Sequence, residues 1–466
     1  MIAPDSFFAR HRQALVVWSV WFVMLVAGLY FVFAFCSDVP YGEEWECVPQ
    51  MARTQPLTFA FLWEQITDHR MPLNKLMFVL LGRWTNGDLR IEKILNLFLL
   101  AAIAAFLILT ARRLRGRTHF ADAFFPLALL HWGHWEVFLM AFLFQFIIST
   151  GLALVVLAAI ICQPLPSMRR SLLAAVCLLL LPLLGTNGLI FVPPLGLWLF
   201  GVAISHWRSA ASGQDRRRVA GLFALIGLAA IFCLLYVAGY QKPAGQPPSL
   251  GWRAITQTSL QFLGMSIGSA GKLAWPYATE ITLAILLATL GRIAWLWRKN
   301  PEERIRLAGL ALFFAAIAIM AYAVGKGRSS FGFPSGFASR YSLLALPALV
   351  AAYFTWAIRP PRFGRALEAA FCLAMAGLLY PDLLDAIPHA MQRRHEIALF
   401  KSELERGVSS ERLAEHHRFV LYPFAEHTAE RLEILRAAAM GPFRDQRPGD
   451  GPRLARSSSA LSRMPR

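Results

Sequence analysis

One pattern constrains this chain more than any other. Runs of about twenty apolar residues, the length that crosses a bilayer as helix, each end in a short basic cluster. The clusters are ARRLRGR (111–117), SMRR (167–170), HWRSAASGQDRRR (206–218), WRKNPEERIR (297–306) and IRPPRFGR (358–365). A backbone in lipid must satisfy its own hydrogen bonds, so the runs are expected to form helices. The fold class expected is an all-α polytopic membrane protein. Composition agrees: 57% of 466 residues are hydrophobic and only 16% charged, too apolar for a soluble chain of this length. The net charge of +18 raises the prospect of a nucleic-acid partner. Much of the Lys and Arg lies at the ends of apolar runs, where it orients helices across a membrane, and nucleic acid is excluded on that ground.

The first run, Ala14 to Cys36, follows FFARHRQ, is too long for a signal-peptide core and lacks a small-x-small cleavage pattern. It reads as a retained anchor. With every basic cluster cytoplasmic, about eleven spans result: 14–36, 93–111, 119–138, 141–162, 171–186, 188–206, 219–239, 274–296, 307–325, 341–358 and 366–384. The fifth and sixth are short and interrupted by Pro182, Pro193 and Pro194. The N-terminus is then cytoplasmic and the C-terminus on the outer face. The expected domains are a transmembrane unit (1–385), a helical appendage (386–443) and a disordered tail (444–466). Ile397, Phe400 and Leu404 at helical spacing mark the appendage, which would cover the site's mouth or bind an acceptor. The tail is rich in Pro, Ser and Arg.

Long, chemically mixed loops fall on the outer side and terse basic ones on the other, so chemistry is expected outside. The first outer loop (37–92) is the longest, and up to residue 75 it holds Asp38, Glu43, Glu44, Glu46, Glu64 and Asp68 against Arg53, Arg70 and Lys75. Acids in a solvated loop need no special role. Yet Glu43 and Glu44 stand beside Tyr41 and Trp45 at the bilayer edge, where partial desolvation raises a carboxylate's pKa and suits it to be a general base or a metal ligand. His131, His134 and Glu136 have a spacing open to metal ligation or to plain interfacial packing. Cys36 and Cys47 bracket the acidic stretch and either pair as a disulfide or stay apart.

Four stretches together carry a resemblance: DVPYGEEWE (38–46), LWEQITDHRMPLNKL (62–76), HWGHWEVFLMAFLFQF (131–146), and GRSSFG (327–332) with ASRY (338–341). In order and spacing, over roughly residues 14–385, the chain resembles bacterial membrane proteins of the GT-C glycosyltransferase superfamily. Gly42-Glu43-Glu44 stands where that pattern has an Asp-Glu pair, and Asp68 where it has Asn-Glu. The resemblance implies a GT-C-like fold in a bacterial inner membrane. It also implies an inverting transfer of a sugar from a polyprenyl-phosphate carrier to a hydroxyl of a glycan, lipid or protein acceptor. Glu44 is the first candidate base, because it abuts Trp45; Glu43 is second and Asp38 third. Arg328, Arg340, Arg70 and Lys75 are candidates for the leaving phosphate, and His69, Glu136, Gln145 and Tyr341 for the substrate. The reaction needs either no cofactor or a divalent cation, Mg2+ or Mn2+, at Glu43 and Glu44. The partners implied are the lipid-linked donor, membrane lipids and the acceptor. A transporter or flippase of lipid-linked sugar, or a non-catalytic scaffold of the same fold, is the alternative.

Overall fold

The structure is a computed structural model describing residues 5–242 and 247–444. All but one residue of the tail expectation at 444–466 therefore lies outside the described residues. Every named element is helical, and one isolated backbone bridge, Ile66 to His69, is the sole extended pairing among the described residues. Eight helices are long and apolar enough to cross a membrane: Arg12–Phe35, Arg90–Arg115, Ala141–Ile161, Thr186–Arg208, Gly213–Val237, Tyr277–Lys299, Pro301–Phe331 and Gly364–Glu405. Their outward faces are apolar, as lipid requires: Phe22, Leu234 and Leu287 are exposed. This is a multi-pass membrane protein.

The other three expected spans are broken. Residues 120–139 form two short α-helices and two 3-10 turns. Met168–Leu180 passes into a 3-10 turn at Pro182, and Arg340–Ala345 stops before a helix restarted at Pro347. Proline lacks the N–H donor and its ring meets the preceding turn, so it serves best as a helix's first residue. These segments are shielded from lipid where they are least regular. Every residue from Ala121 to Leu130 and from Tyr341 to Thr355 is buried. Irregular backbone is tolerated at membrane depth only when protein surrounds it.

The chain reversals collect at two ends of the bundle. Leu114 to His119, Cys162, Arg306, Ile358 and Arg365 share one cavity. Glu43, Met140, Thr186, Arg328 and Arg340 share another. Three of the five basic clusters, 111–117, 297–306 and 358–365, reach the first group. Two broken segments run from one group to the other, between 119 and 140 and between 340 and 358.

Two cores result. The larger lies among the spans around Phe31, Phe124, Leu154, Phe313 and Phe354. The smaller joins the first loop, through Trp45, Val48, Met51 and Phe78, to the appendage, through Phe400, Leu413, Leu432 and Phe443. The last membrane-length helix among the described residues, Gly364–Glu405, runs 42 residues through Pro381 and Pro388, so the expected boundary at 385 falls inside one continuous helix. Backbone contacts stitch loop to appendage: Gly42 N–H donates to Leu421 O at 2.7 Å, and Gly441 N–H to Asn86 O at 3.2 Å. Gly87 has φ +77°, and a Cβ there would lie 2.6 Å from Gly441 N, so the close approach requires glycine.

Candidate functional site

The first loop leaves the membrane and turns at Gly42, whose φ of +57° a side chain would strain. It then coils as a 3-10 helix, Gly42–Cys47. Three residues per turn point neighbouring side chains about 120° apart. Trp45 is fully buried in the smaller core, and Glu44 is buried beside it. The Glu44 carboxylate accepts from Tyr41 N–H at 2.9 Å and from Phe142 N–H at 3.2 Å, as a capping residue three positions after Tyr41. Glu43 points the other way, into a cavity of about 790 Å³.

Ile66 and His69 exchange both backbone hydrogen bonds, 2.9 and 3.0 Å, across a tight turn with Thr67 at φ +49°. That turn presents Thr67, Asp68 and His69 to the cavity. Thr67 Oγ1 donates to Glu43 Oε1 at 2.6 Å and lies 3.2 Å from Asp68 Oδ1. Asp68 is bracketed by His69 Nε2 at 3.2 Å and Arg328 Nη2 at 3.0 Å. Burial alone would push its carboxyl up, but His69 and then Arg328 outweigh burial and hold it below the usual range. His69 Nδ1 lies 3.0 Å from Thr186 Oγ1, itself 3.0 Å from the Tyr236 hydroxyl, so the histidine is fixed on both sides.

Arg328, Arg340 and Lys326 line the same cavity. Glu136 holds Arg340 twice, by its guanidinium and by its backbone N–H, each at 2.8 Å. Lys326 and Lys242 line the space with no ion pair among the described residues. Below the polar mouth the lining is apolar, with Leu143, Phe146, Ile190, Met320, Val324 and Leu344. Two amide oxygens, Gln145 Oε1 and Asn187 Oδ1, are buried at the wall without a hydrogen-bond partner. Asn187 spends its amide donors on Ser149 Oγ and Gln145 O. Such orphaned acceptors are costly unless a ligand donates to them.

Six residues expected from the sequence therefore meet here: Glu43, His69, Gln145, Arg328, Arg340 and Tyr341. Five others do other work. Glu44 caps the 3-10 helix. Asp38 is buried against Lys401, 2.7 Å away. Arg70 reaches away to Gly239 O at 2.9 Å, pinning the loop after Val237. Lys75 is fully buried and donates to Phe61 O and Glu64 O, both at 2.7 Å, capping the short helix Phe59–Trp63. Glu136 supports Arg340 from behind.

The metal readings find different partners. Glu43 and Glu44 diverge, and Asp382 takes His131 at 2.9 Å while Ser342 and Ala128 O take His134. No group of three or more His, Cys, Asp or Glu side chains stands ready to share an ion among the described residues. Cys36 and Cys47 are free thiols. The sequence does not single out Thr67, Asn187 or Tyr422 to Phe424, although the last three belong to the appendage expected to cover the site's mouth, and they close one side of the cavity. Asn187 lies in a segment expected on the outer face, where its polarity was the available signal.

No family model matches the chain, and neither curated proteins nor solved structures yield a match.

Proposed function

We propose that the chain is an inverting, GT-C-like glycosyltransferase that moves a sugar from a polyprenyl-phosphate carrier to a hydroxyl acceptor on the outer face of a bacterial inner membrane. The observation that carries the reading is the cavity itself. It gathers carboxylates, cations and an apolar lining in one space, apart from the arginine-lined cavity at the other end of the bundle. In this reading the three broken segments also cross, giving eleven passes with the N-terminus cytoplasmic and the C-terminus outside.

Glu43 takes the role of base. It faces the cavity, whereas Glu44 is engaged by backbone amides. The acceptor hydroxyl attacks the anomeric carbon from the side opposite the phosphate. Glu43 accepts its proton as the new C–O bond forms. The bond from that carbon to the phosphate oxygen breaks, and its electron pair leaves with polyprenyl phosphate. Arg328, Arg340 and Lys326 stabilise the charge that grows on that phosphate. Gln145 Oε1 and Asn187 Oδ1 accept hydrogen bonds from sugar hydroxyls. The apolar lining takes the first isoprene units. Were a divalent cation used, Glu43 and Asp68, both bonded to Thr67, would be the cavity carboxylates to hold it, and it would supply positive charge for the leaving phosphate.

The test follows polyprenyl phosphate by mass spectrometry after extracted lipid-linked sugars are given to the purified chain in nanodiscs, with and without EDTA. The wild type and Glu44→Gln should release it, and Glu43→Gln should release about 10²–10⁴-fold less, the usual contribution of a positioned base. Carrier that binds but is never released, with any acceptor extract, makes the chain a transporter or a scaffold instead.

A further inference from the structure

At the end of the bundle opposite that cavity, four separate stretches of chain close around a second space of about 440 Å³. Arg115, Arg117, Arg306, Arg359 and Arg365 all line it, with a single carboxylate, Glu368. A cluster that only orients helices needs to lie in water beside the membrane. It has no need to converge, from points as distant in sequence as 115 and 365, on one concave space.

The acids at this end are already engaged. Asp122 and Glu368 both bind Arg115. Glu303 lies 3.0 Å from Arg306 and 3.4 Å from Arg359, and Glu302 lies 2.6 Å from Arg359. Arg117 and Arg365 are left exposed with no ion pair among the described residues. Deeper in, Arg306 is 7% exposed, and its buried Nε has no acceptor. Arg115 Nε is buried without one as well. Leu114, Ala357 and Ile358 add an apolar flank.

We propose that this pocket binds a phosphate-ester anion, carried either by the headgroup of an anionic phospholipid or by a soluble ester. Planar guanidinium forks match paired phosphate oxygens, and the flank accepts a glyceryl or acyl stem. Basic pockets between membrane helices suit anionic headgroups in this way. The site is separate from the sugar-transfer reading and does not depend on it.

The experiment uses the full chain in phosphatidylcholine nanodiscs with a minor fraction of phosphatidylglycerol, and native mass spectrometry counts retained lipid. Wild type should retain phosphatidylglycerol over phosphatidylcholine, and Arg117→Gln/Arg365→Gln at least tenfold less. Arg117→Lys/Arg365→Lys, which keeps the charge but loses the fork, should fall between. Neither arginine makes an ion pair, so an unchanged thermal midpoint checks that the variants fold. In a second arm, glycerol 3-phosphate is titrated into discs of phosphatidylcholine alone. Saturable binding there, lost in the double variant, assigns the pocket to a soluble ester; lipid retention without it assigns the pocket to the membrane. Equal lipid retention by wild type and variant, with no binding of glycerol 3-phosphate, overturns the proposal and leaves the arginines as orienting charge.

Discussion

The two cores are built from similar side chains and are held together by different physics. Around Trp45, Phe78 and Phe400 the first loop and the appendage bury apolar surface that water would otherwise wet, so the hydrophobic effect drives their association. Around Phe124, Leu154 and Phe354 the alternative to burial is lipid, as apolar as the core, and that drive is absent. Packing and polar ties serve instead. Tyr353 OH donates to Asp122 at 2.9 Å, Trp198 Nε1 to Ile305 O at 3.0 Å, and His131 pairs with Asp382 at 2.9 Å. The comparison teaches that a leucine's worth in this chain depends on what surrounds it, so burial alone ranks nothing here.

The hardest test of that contrast sets Phe400→Ala beside Phe354→Ala. Phe400 is fully buried in the smaller core, and its loss should cost about 3–5 kcal/mol. Phe354 is as fully buried in the larger core, where lipid and not water is the alternative, and its loss should cost less. Denaturant unfolding of the reconstituted protein reads both, and equal costs would sink the distinction. Next comes Glu44→Gln, which loses the charge on two backbone hydrogen bonds and should cost about 1.5–3 kcal/mol, while Glu43→Gln stays within about 0.5. Thermal midpoints decide; a larger loss at Glu43 would reverse the roles of the two acids. Lys75→Met leaves the carbonyls of Phe61 and Glu64 without their donor and should cost about 1–3 kcal/mol. Faster amide exchange across residues 59–64, with the spans unchanged, would place that loss in the outer module.

The smallest effect concerns pH. Asp68 is held below the ordinary value near 3.9, so the unfolded chain takes up its proton at a higher pH than the folded chain does. Its stabilising contribution is complete above about pH 4 and disappears as pH falls through the lower folded value. The thermal midpoint of Asp68→Asn should therefore vary less than wild type between pH 6 and pH 3. Superimposable acid limbs would mean that His69 and Arg328 do not secure this turn.

Eight membrane-length helices were legible because length and apolarity are properties of the sequence itself. The other three apolar runs carry the same composition, yet proline and protein surroundings break them, and surroundings are tertiary. The domain boundary expected at 385 followed a change in composition, but helix Gly364–Glu405 continues through it and packs its far half on the first loop. Within the site, the acidic stretch was visible but the choice between neighbours was not. Standing next to Trp45 looked like a reason to favour Glu44. In the fold Glu44 turns inward because the N–H groups of Tyr41 and Phe142 hold its carboxylate. The Tyr41-x-x-Glu44 spacing, a capping pattern, was the overlooked signal. Lys75 likewise read as a phosphate ligand because charge in a loop suggests a ligand, whereas two carbonyls of a short helix claim it.

Gly42 donates to Leu421, and Tyr422 to Phe424 form one wall of the large cavity. The opening loop thus waits for a stretch nearly four hundred residues downstream, which a ribosome adds only after every membrane-length helix has been made. Assembly of the enclosed chamber is therefore a late event in biogenesis. A nascent chain inserted as far as Arg328 already carries Glu43, Asp68 and the amides of Gln145 and Asn187, but its chamber stands open to water on the appendage side.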